Sequence, residues 1–168
     1  MQAVFGPVTL EESAARIVSA AREVPADQPL IVLAHSGPSG LGSDADSPCG
    51  RDWKRPAIDW GDRDLALALD SMAAERRPDL VVFGHMHHQL KRGHGLRRSL
   101  LQDRYGTAFV NAACVPRSGL DANNRPVLHL SWAEFQDQRL THLSHRWYTP
   151  ESELVHQESL QLQDALAC

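Results

Sequence analysis

The stretch LVVFGHMHH, residues 80–88, decides the predicted fold, because it joins a strand to a group of histidines. The apolar run before Gly84 is short and continuous, which is typical of a buried strand in a parallel sheet. Gly84 permits a sharp turn and a close approach to the backbone. His85 and His87 follow one residue apart, so their side chains can converge after such a turn.

A second apolar run, at residues 30–34, ends in the same way, because His35 follows it directly. Open α/β folds place their ligands at the carboxyl ends of parallel strands. Imidazole is a good ligand for zinc, iron, manganese and nickel. His35, His85 and His87 are therefore candidate metal ligands. The alternative is that all three are loop histidines that hold no metal.

The remaining patterns predict an α/β layer followed by mostly antiparallel strands. Thr9 and Glu12 form a capping box before an apolar face spaced at three and four residues. The predicted helices cover residues 10–24 and 62–73, and the predicted strands cover residues 30–34, 80–83, 107–110, 127–132 and 140–147. A turn near Asp137 joins the last two strands. From Pro150 onward we expect a short helix or a loose tail.

The segment between the two strand-end histidine groups begins with a long loop, residues 36–61, which lacks periodicity. Loops of this length inside a compact domain are usually functional or disordered. Arg51 and Lys54 are candidate ligands for a substrate phosphate, and solvated loop charge is an equally good interpretation. Trp53 and Trp60 form either a stacking wall or, as we favour, an anchor of the loop against the core.

Composition excludes several classes of protein. The chain has 168 residues, 42% of them hydrophobic, and a net charge of −4, which does not support nonspecific nucleic-acid binding. No apolar run is long enough to span a membrane and no signal peptide is evident, so we expect a cytoplasmic protein. The 3 cysteines are widely spaced, which indicates a reducing compartment without a disulfide framework.

The histidine motifs resemble those of a known family. The segment FGHMH, residues 83–87, resembles the G-H-x-H motif of calcineurin-like metallophosphoesterases, and residues 33–35 resemble the strand-end histidine that precedes it. The resemblance runs from residue 1 to about 148 and reaches Asn111, where the family often has Asn-Pro-Gly and this chain has Asn-Ala-Ala. Residues 35–42 and 49–53 look like signatures of a bacterial and plastid subfamily.

The resemblance implies a fold, a reaction and a metal content. It implies an α/β fold that is part of a four-layer αββα sandwich, and two divalent ions chosen from manganese, iron and zinc. A metal-bound hydroxide would hydrolyse a phosphate mono- or diester. His35 and His85 would bind one ion, and His87 would bind the other. Asn111 and Arg117 are weaker candidates for contacts with the substrate.

The family motifs that supply carboxylates, D-x-H, G-D-x-x-D and G-N-H-D, precede the strand-end histidine in that family. Here Asp27 is the sole aspartate before His35. The segment GDRD, residues 61–64, resembles G-D-x-x-D but lacks its last aspartate and stands in the wrong order, so we interpret it as a helix start. Residues 1–148 are therefore interpreted as the C-terminal half of the domain, and residues 149–168 as a tail.

Three nitrogens spread over two metals, without a bridging anion, make a weak site, and no catalytic residue is identified in this chain. We expect the chain alone to bind metal weakly and to hydrolyse little. We expect that an N-terminal segment of the domain is missing here or that a complementing chain supplies it. Two alternatives remain open: a non-catalytic half-domain that binds metal weakly or pairs with another chain, and a structural α/β domain with incidental histidines. His88 is expected to be exposed, and His129, His142 and His145 to be ordinary strand residues.

Overall fold

The computed structural model describes residues 8–72, 76–92 and 95–162 as a mixed α/β fold with two sheets and few helices. The predicted helices and strands are present, with three further short strands. The helices are α1 (Leu10–Arg22) and α2 (Arg63–Met72), and the strands are β1 (Ile31–Leu33), β2 (Leu80–Phe83), β3 (Leu100–Gln102), β4 (Ala108–Asn111), β5 (Ser118–Leu120), β6 (Pro126–Gln136), β7 (Arg139–Tyr148) and β8 (Leu154–Leu160). None of the described helices is long and apolar enough to cross a membrane.

The first sheet carries the histidine motifs. Its strand order is β1-β2-β4-β3, in which β1, β2 and β4 run parallel and β3 is antiparallel to β4. Val32 pairs with Val81, and Val81 pairs with Phe109, so the three parallel strands end at one edge. The residues that follow β1 and β2 are therefore neighbours at that edge, as the sequence predicts.

The second sheet is antiparallel and contains β5, β6, β7 and β8 in that order. Asp137 and Gln138 adopt φ values of 47° and 66° in the turn between β6 and β7, which matches the predicted hairpin. The expected short helix or loose tail after Pro150 is wrong. β8 forms there because its alternating residues pair along β7, from Leu143 opposite Leu160 to Tyr148 opposite Leu154.

The helices and the two sheets form three layers. α1 begins with the predicted capping box, in which the Thr9 hydroxyl accepts from the Glu12 amide and the Glu12 carboxylate accepts from the Thr9 amide. One face of the first sheet packs against the helices through Val81, Phe83, Phe109 and the buried faces of α1 and α2. The opposite face packs against the second sheet through Leu80, Ala108, Val110 and Leu143.

β1 is an edge strand, and it differs from the prediction in its burial. Ile31 is 44% exposed and Leu33 is 78% exposed, whereas the apolar run predicts a buried strand. The outer side of β1 faces no strand among the described residues. An edge strand that presents unpaired backbone groups and apolar side chains is a template for pairing with another strand.

Candidate metal-binding site

Two of the predicted histidine ligands are in contact at the carboxyl edge of the first sheet. His35 follows β1 and His85 follows β2, and the Gly84 amide donates to the His35 carbonyl at 3.1 Å. The two imidazole rings lie with their centroids 4.9 Å apart at an interplanar angle of 61°. Both side chains are exposed. The parallel pairing of β1 and β2 thus brings together two imidazoles that stand fifty residues apart in the chain.

The backbone at His85 is strained. Its φ is 66°, and the Met86 amide donates to the Gly84 carbonyl at 2.8 Å, which closes a γ-turn around His85. A γ-turn with positive φ is rare, and a non-glycine residue in this region costs roughly 1–3 kcal/mol. The sharp turn that the sequence predicts is therefore made by His85, while Gly84 has ordinary space around its Cα. Such strain is concentrated at functional sites.

His87 is exposed and lies beside His85 at the mouth of two adjoining pockets. One pocket, of about 550 Å³, is lined by both histidines together with Asp52, Trp53 and Lys91. The other is lined by both histidines together with His35 and Arg117. A volume of this size accommodates a small organic phosphate. Lys91, which the sequence did not single out, and Arg117 give the two pockets cationic walls.

The histidines make an incomplete metal site. Within residues 8–72, 76–92 and 95–162, no three His, Cys, Asp or Glu side chains converge closely enough to hold a metal ion. His35 and His85 supply two neighbouring imidazoles, which suit a divalent transition metal. A pair of nitrogens leaves most coordination positions to water or to further ligands. The donor set therefore fits a cation, although it does not enclose one.

Arg97 fixes the loop that carries these histidines, and no sequence signal identified it. Its side chain is buried, and its Nη1 donates to the carbonyls of Ala45, Ser47 and Gly50 at 2.7–2.9 Å. Its Nε donates to the His87 carbonyl at 3.1 Å. Burial lowers the pKa of Arg97, and the charge of Asp52 opposes that shift. One cation thus joins the 44–52 segment to the histidine loop.

Asn111, a predicted substrate contact, lies in the interior. Its side chain is fully buried, and its amide donates to the carbonyls of Met86 at 2.7 Å and Pro48 at 3.2 Å. Its side-chain oxygen accepts from the Ala113 amide at 2.9 Å. Both polar atoms of Asn111 are therefore engaged with the backbone, and the residue holds the histidine loop against β4.

The charged residues singled out in the 36–61 loop have different surroundings. Arg51 donates to the Pro56 carbonyl at 2.7 Å, and its guanidinium lies 5.3 Å from the centre of the Trp60 ring. Trp53 meets Trp60 edge to face at 5.7 Å, and Trp60 is 44% exposed, so this contact lies within the loop and anchoring against the core stays a prediction. Lys54 is exposed. Of the predicted phosphate contacts, Arg117 is the one that lines a pocket with the histidines.

A second group of histidines lies behind the first, and the sequence did not predict it. The His145 ring lies 4.8 Å from the His88 ring and 5.0 Å from the His129 ring, and His129 Nε2 and His145 Nδ1 are 3.0 Å apart. His88, expected to be exposed, is half-buried and its Nε2 donates to the Asn111 carbonyl at 2.8 Å. His129 and His145 are buried at 3% and 1% exposure.

Burial favours the neutral form of these rings. Burial, followed by the charge of His88, lowers the pKa of His129 and of His145 to about 4. Burial also lowers the pKa of His88. Among the described residues, His129 Nδ1 and His145 Nε2 have no hydrogen-bond partner. Two neutral imidazoles that share one hydrogen bond leave one N–H and one lone pair for other partners.

Comparisons with known proteins leave the chain without an assigned family. The chain matches no family model, and no curated protein and no solved structure shows significant similarity to it. The likeness of its histidine motifs to those of metallophosphoesterases therefore stays a prediction from the sequence.

Proposed function

We propose that this chain carries the histidine half of a metal-dependent phosphoesterase site of the calcineurin-like type. The single observation that supports it best is the contact between His35 and His85. Two imidazoles that follow adjacent parallel strands, one of them in a strained γ-turn, lie where α/β folds bind ligands. The substrate would be a phosphate mono- or diester.

Each residue at the strand ends has a proposed task. His35 and His85 hold one divalent ion, and His87 contributes to the binding of a second. Divalent manganese, iron or zinc ions bound there supply Lewis acidity and an acidified water for attack on phosphorus. Arg117 and Lys91, which line the two pockets beside the histidines, attract the anionic ester and orient its oxygens.

The proposed site is completed by residues outside the described part of the chain. The described layers correspond, in this proposal, to part of a four-layer αββα sandwich whose other half adds strands beyond β1. The exposed apolar side chains of Ile31 and Leu33 support such an addition. An N-terminal segment of a longer chain, or a complementing chain, would then supply the carboxylates that bridge two ions.

A second candidate function is a non-catalytic half-domain that binds metal weakly or pairs with another polypeptide. The exposed edge of β1 favours it, and so does the incomplete ligand set. The enzymatic candidate requires a cation at His35 and His85, whereas the half-domain can act by pairing alone, and the two candidates differ in whether phosphoesters are hydrolysed.

Hydrolysis by the native protein separates these candidates. The native protein would be isolated from its source cells with an antibody against the C-terminal tail and assayed with p-nitrophenyl phosphate and bis(p-nitrophenyl) phosphate. We expect hydrolysis that depends on manganese and stops with a chelator. The same cells carrying His85→Asn and His87→Ala should yield protein at least about 100-fold less active, because both ions lose a ligand.

The choice of variant controls for folding. Asparagine tolerates positive φ, so His85→Asn preserves the γ-turn while removing the imidazole. Equal hydrolysis by the native and the doubly substituted protein would refute the enzymatic proposal. Metal binding without hydrolysis in the native material would favour the half-domain.

A further inference from the structure

Asp62 starts α2 beside the exposed histidine pair. The Asp62 amide donates to the Gly37 carbonyl at 2.8 Å, and the Ser39 amide donates to the Asp62 carbonyl at 3.0 Å. These bonds form a short parallel bridge that holds residue 62 against the segment just after His35. Asp62 also lines a groove with Leu33 and Ala34, the residues that lead into His35. Its backbone position is thus fixed at the carboxyl end of β1.

The carboxylate of Asp62 has no structural task in the described part of the chain. The sequence predicts that it caps α2, but the structure assigns the polar contacts at that helix start to Asp64. Asp64 accepts from the Leu65 amide at 2.9 Å and from the Ser13 hydroxyl at 2.6 Å. No hydrogen bond or ion pair among the described residues involves the Asp62 carboxylate, and the residue is exposed.

The charge environment of Asp62 favours a cation. Burial of its inner side raises its pKa, and the charge of Asp64 raises it further, while His35 and His85 oppose both effects. Two imidazoles are therefore within electrostatic reach of a carboxylate whose negative charge is otherwise disfavoured. A divalent ion between these groups would offset the repulsion from Asp64 and would take the lone pairs of both rings.

We propose that Asp62 is the carboxylate ligand of a divalent-cation site whose other protein ligands are His35 and His85. Two histidines and one carboxylate on one side of an ion leave its remaining positions open to water or a phosphate oxygen. The three side chains do not converge as found. All three side chains are exposed, so packing does not fix their rotamers.

This proposal depends on the proposed function only in taking His35 and His85 as ligands. A measurement of cation binding tests it without any assay of activity. The full chain would be titrated with Mn²⁺ and with Co²⁺ by calorimetry, and the Co²⁺ absorption band would be recorded. We expect Asp62→Asn to weaken binding by about tenfold or more and to change the Co²⁺ band, because the site loses its anionic ligand.

Asp70→Asn is the matched control. Asp70 is an exposed carboxylate near the other end of α2, so its substitution makes the same change in net charge away from the histidines. The affinity of Asp70→Asn for Mn²⁺ and Co²⁺ should stay within about twofold of the wild-type value, because residue 70 does not contact the cation. Circular dichroism of each variant establishes that α1 and α2 are intact.

Each outcome decides between the two proposals. Wild-type affinity in Asp62→Asn together with lost binding in His85→Asn would refute the role of Asp62 and leave the histidine site standing. A wild-type chain that binds neither Mn²⁺ nor Co²⁺ would refute the cation site altogether. Equal weakening by Asp62→Asn and Asp70→Asn would reduce the effect of Asp62 to long-range charge and would overturn its role as a ligand.

Discussion

The molecule contains two groups of three histidines at adjoining positions, and their environments are opposite. The exposed histidines follow the strand ends of the first sheet, and the buried histidines lie beneath them. The exposed group is His35, His85 and His87, and the buried group is His129 and His145 together with the half-buried His88. His87 and His88 are consecutive, so the boundary between the two groups is a single peptide bond.

All six residues are histidines, so the difference between the groups shows that burial decides what each imidazole can do. The buried rings contact one another, burial lowers their pKa, and in the described part of the chain one nitrogen each of His129 and His145 has no hydrogen-bond partner. The exposed rings face open pockets with cationic walls. The buried group therefore packs behind the histidine loop, and the exposed group is available to a ligand.

The largest expected effect comes from substituting Arg97, which contacts the backbone where the two histidine groups adjoin. Its side chain holds the His87 carbonyl, and its amide donates to the His88 carbonyl at 2.7 Å. Arg97→Met leaves the His87 carbonyl, the carbonyls of the 44–52 segment and the Asp52 carboxylate without their cation, while the backbone bond to His88 remains. We expect a loss of about 3–5 kcal/mol in the free energy of unfolding, measured by urea denaturation.

Arg98→Met provides the comparison for that measurement. The Arg98 side chain is 50% exposed, and its ion pairs with Asp44 and Asp46 are long, at 4.0 Å and 3.7 Å. Its loss should cost no more than about 1 kcal/mol. Equal losses from the two substitutions would show that Arg97 does not link the two histidine groups.

The buried histidines should make stability depend on pH. Their pKa is about 4 in the folded protein and near the ordinary 6.5 in the unfolded chain. Between these values the unfolded state binds more protons, so their contribution to stability is complete above about pH 6.5 and is lost as the pH falls towards 4. Urea denaturation across this range should show the decline. His145→Phe should reduce its slope, since one of the titrating rings is removed.

His156 gives a matched control for the pH experiment. It lies on β8 and is exposed, although its ring contacts Trp147 as the buried rings contact one another. His156→Asn removes an exposed imidazole and leaves the His129–His145 pair in place, so the decline of stability with falling pH should persist. An unchanged slope in His145→Phe would mean that the buried rings are not the groups that titrate.

The smallest effect on stability is expected at the exposed edge of β1. Leu33→Lys places a charge on an edge strand, which discourages pairing with another strand, and changes the free energy of unfolding by about 0.5 kcal/mol or less. Sedimentation analysis at increasing concentration should show less self-association than in the wild-type chain. Leu96→Lys is the control, because Leu96 is 68% exposed, close to the 78% of Leu33, and lies away from this edge. This substitution should leave self-association unchanged.

The sequence predicts local features well and contacts between distant segments poorly. The apolar run before Gly84 predicts β2, and the capping box predicts the start of α1, because both depend on neighbouring residues. The exposure of β1 was missed, since an apolar run is the same in an edge strand as in a central one.

The same division between local features and contacts of distant segments applies to the candidate site. Two strand-end histidines were predicted to meet because parallel strands share an edge, and the rings are in contact. The roles of Arg97, of the His129–His145 pair and of Asp62 depend on segments that lie sixteen to fifty residues apart in the chain. No spacing in the sequence specifies those contacts, because each depends on how separate elements pack together.

Anomalous X-ray scattering from crystals of the full chain soaked in Mn²⁺ or Zn²⁺ tests the central claim most directly. The account predicts an anomalous peak within about 2.3 Å of a ring nitrogen of both His35 and His85, and no peak between His129 and His145. A peak at the buried pair, or no peak at the exposed pair at saturating metal, would contradict the assignment of the metal site to the exposed histidines.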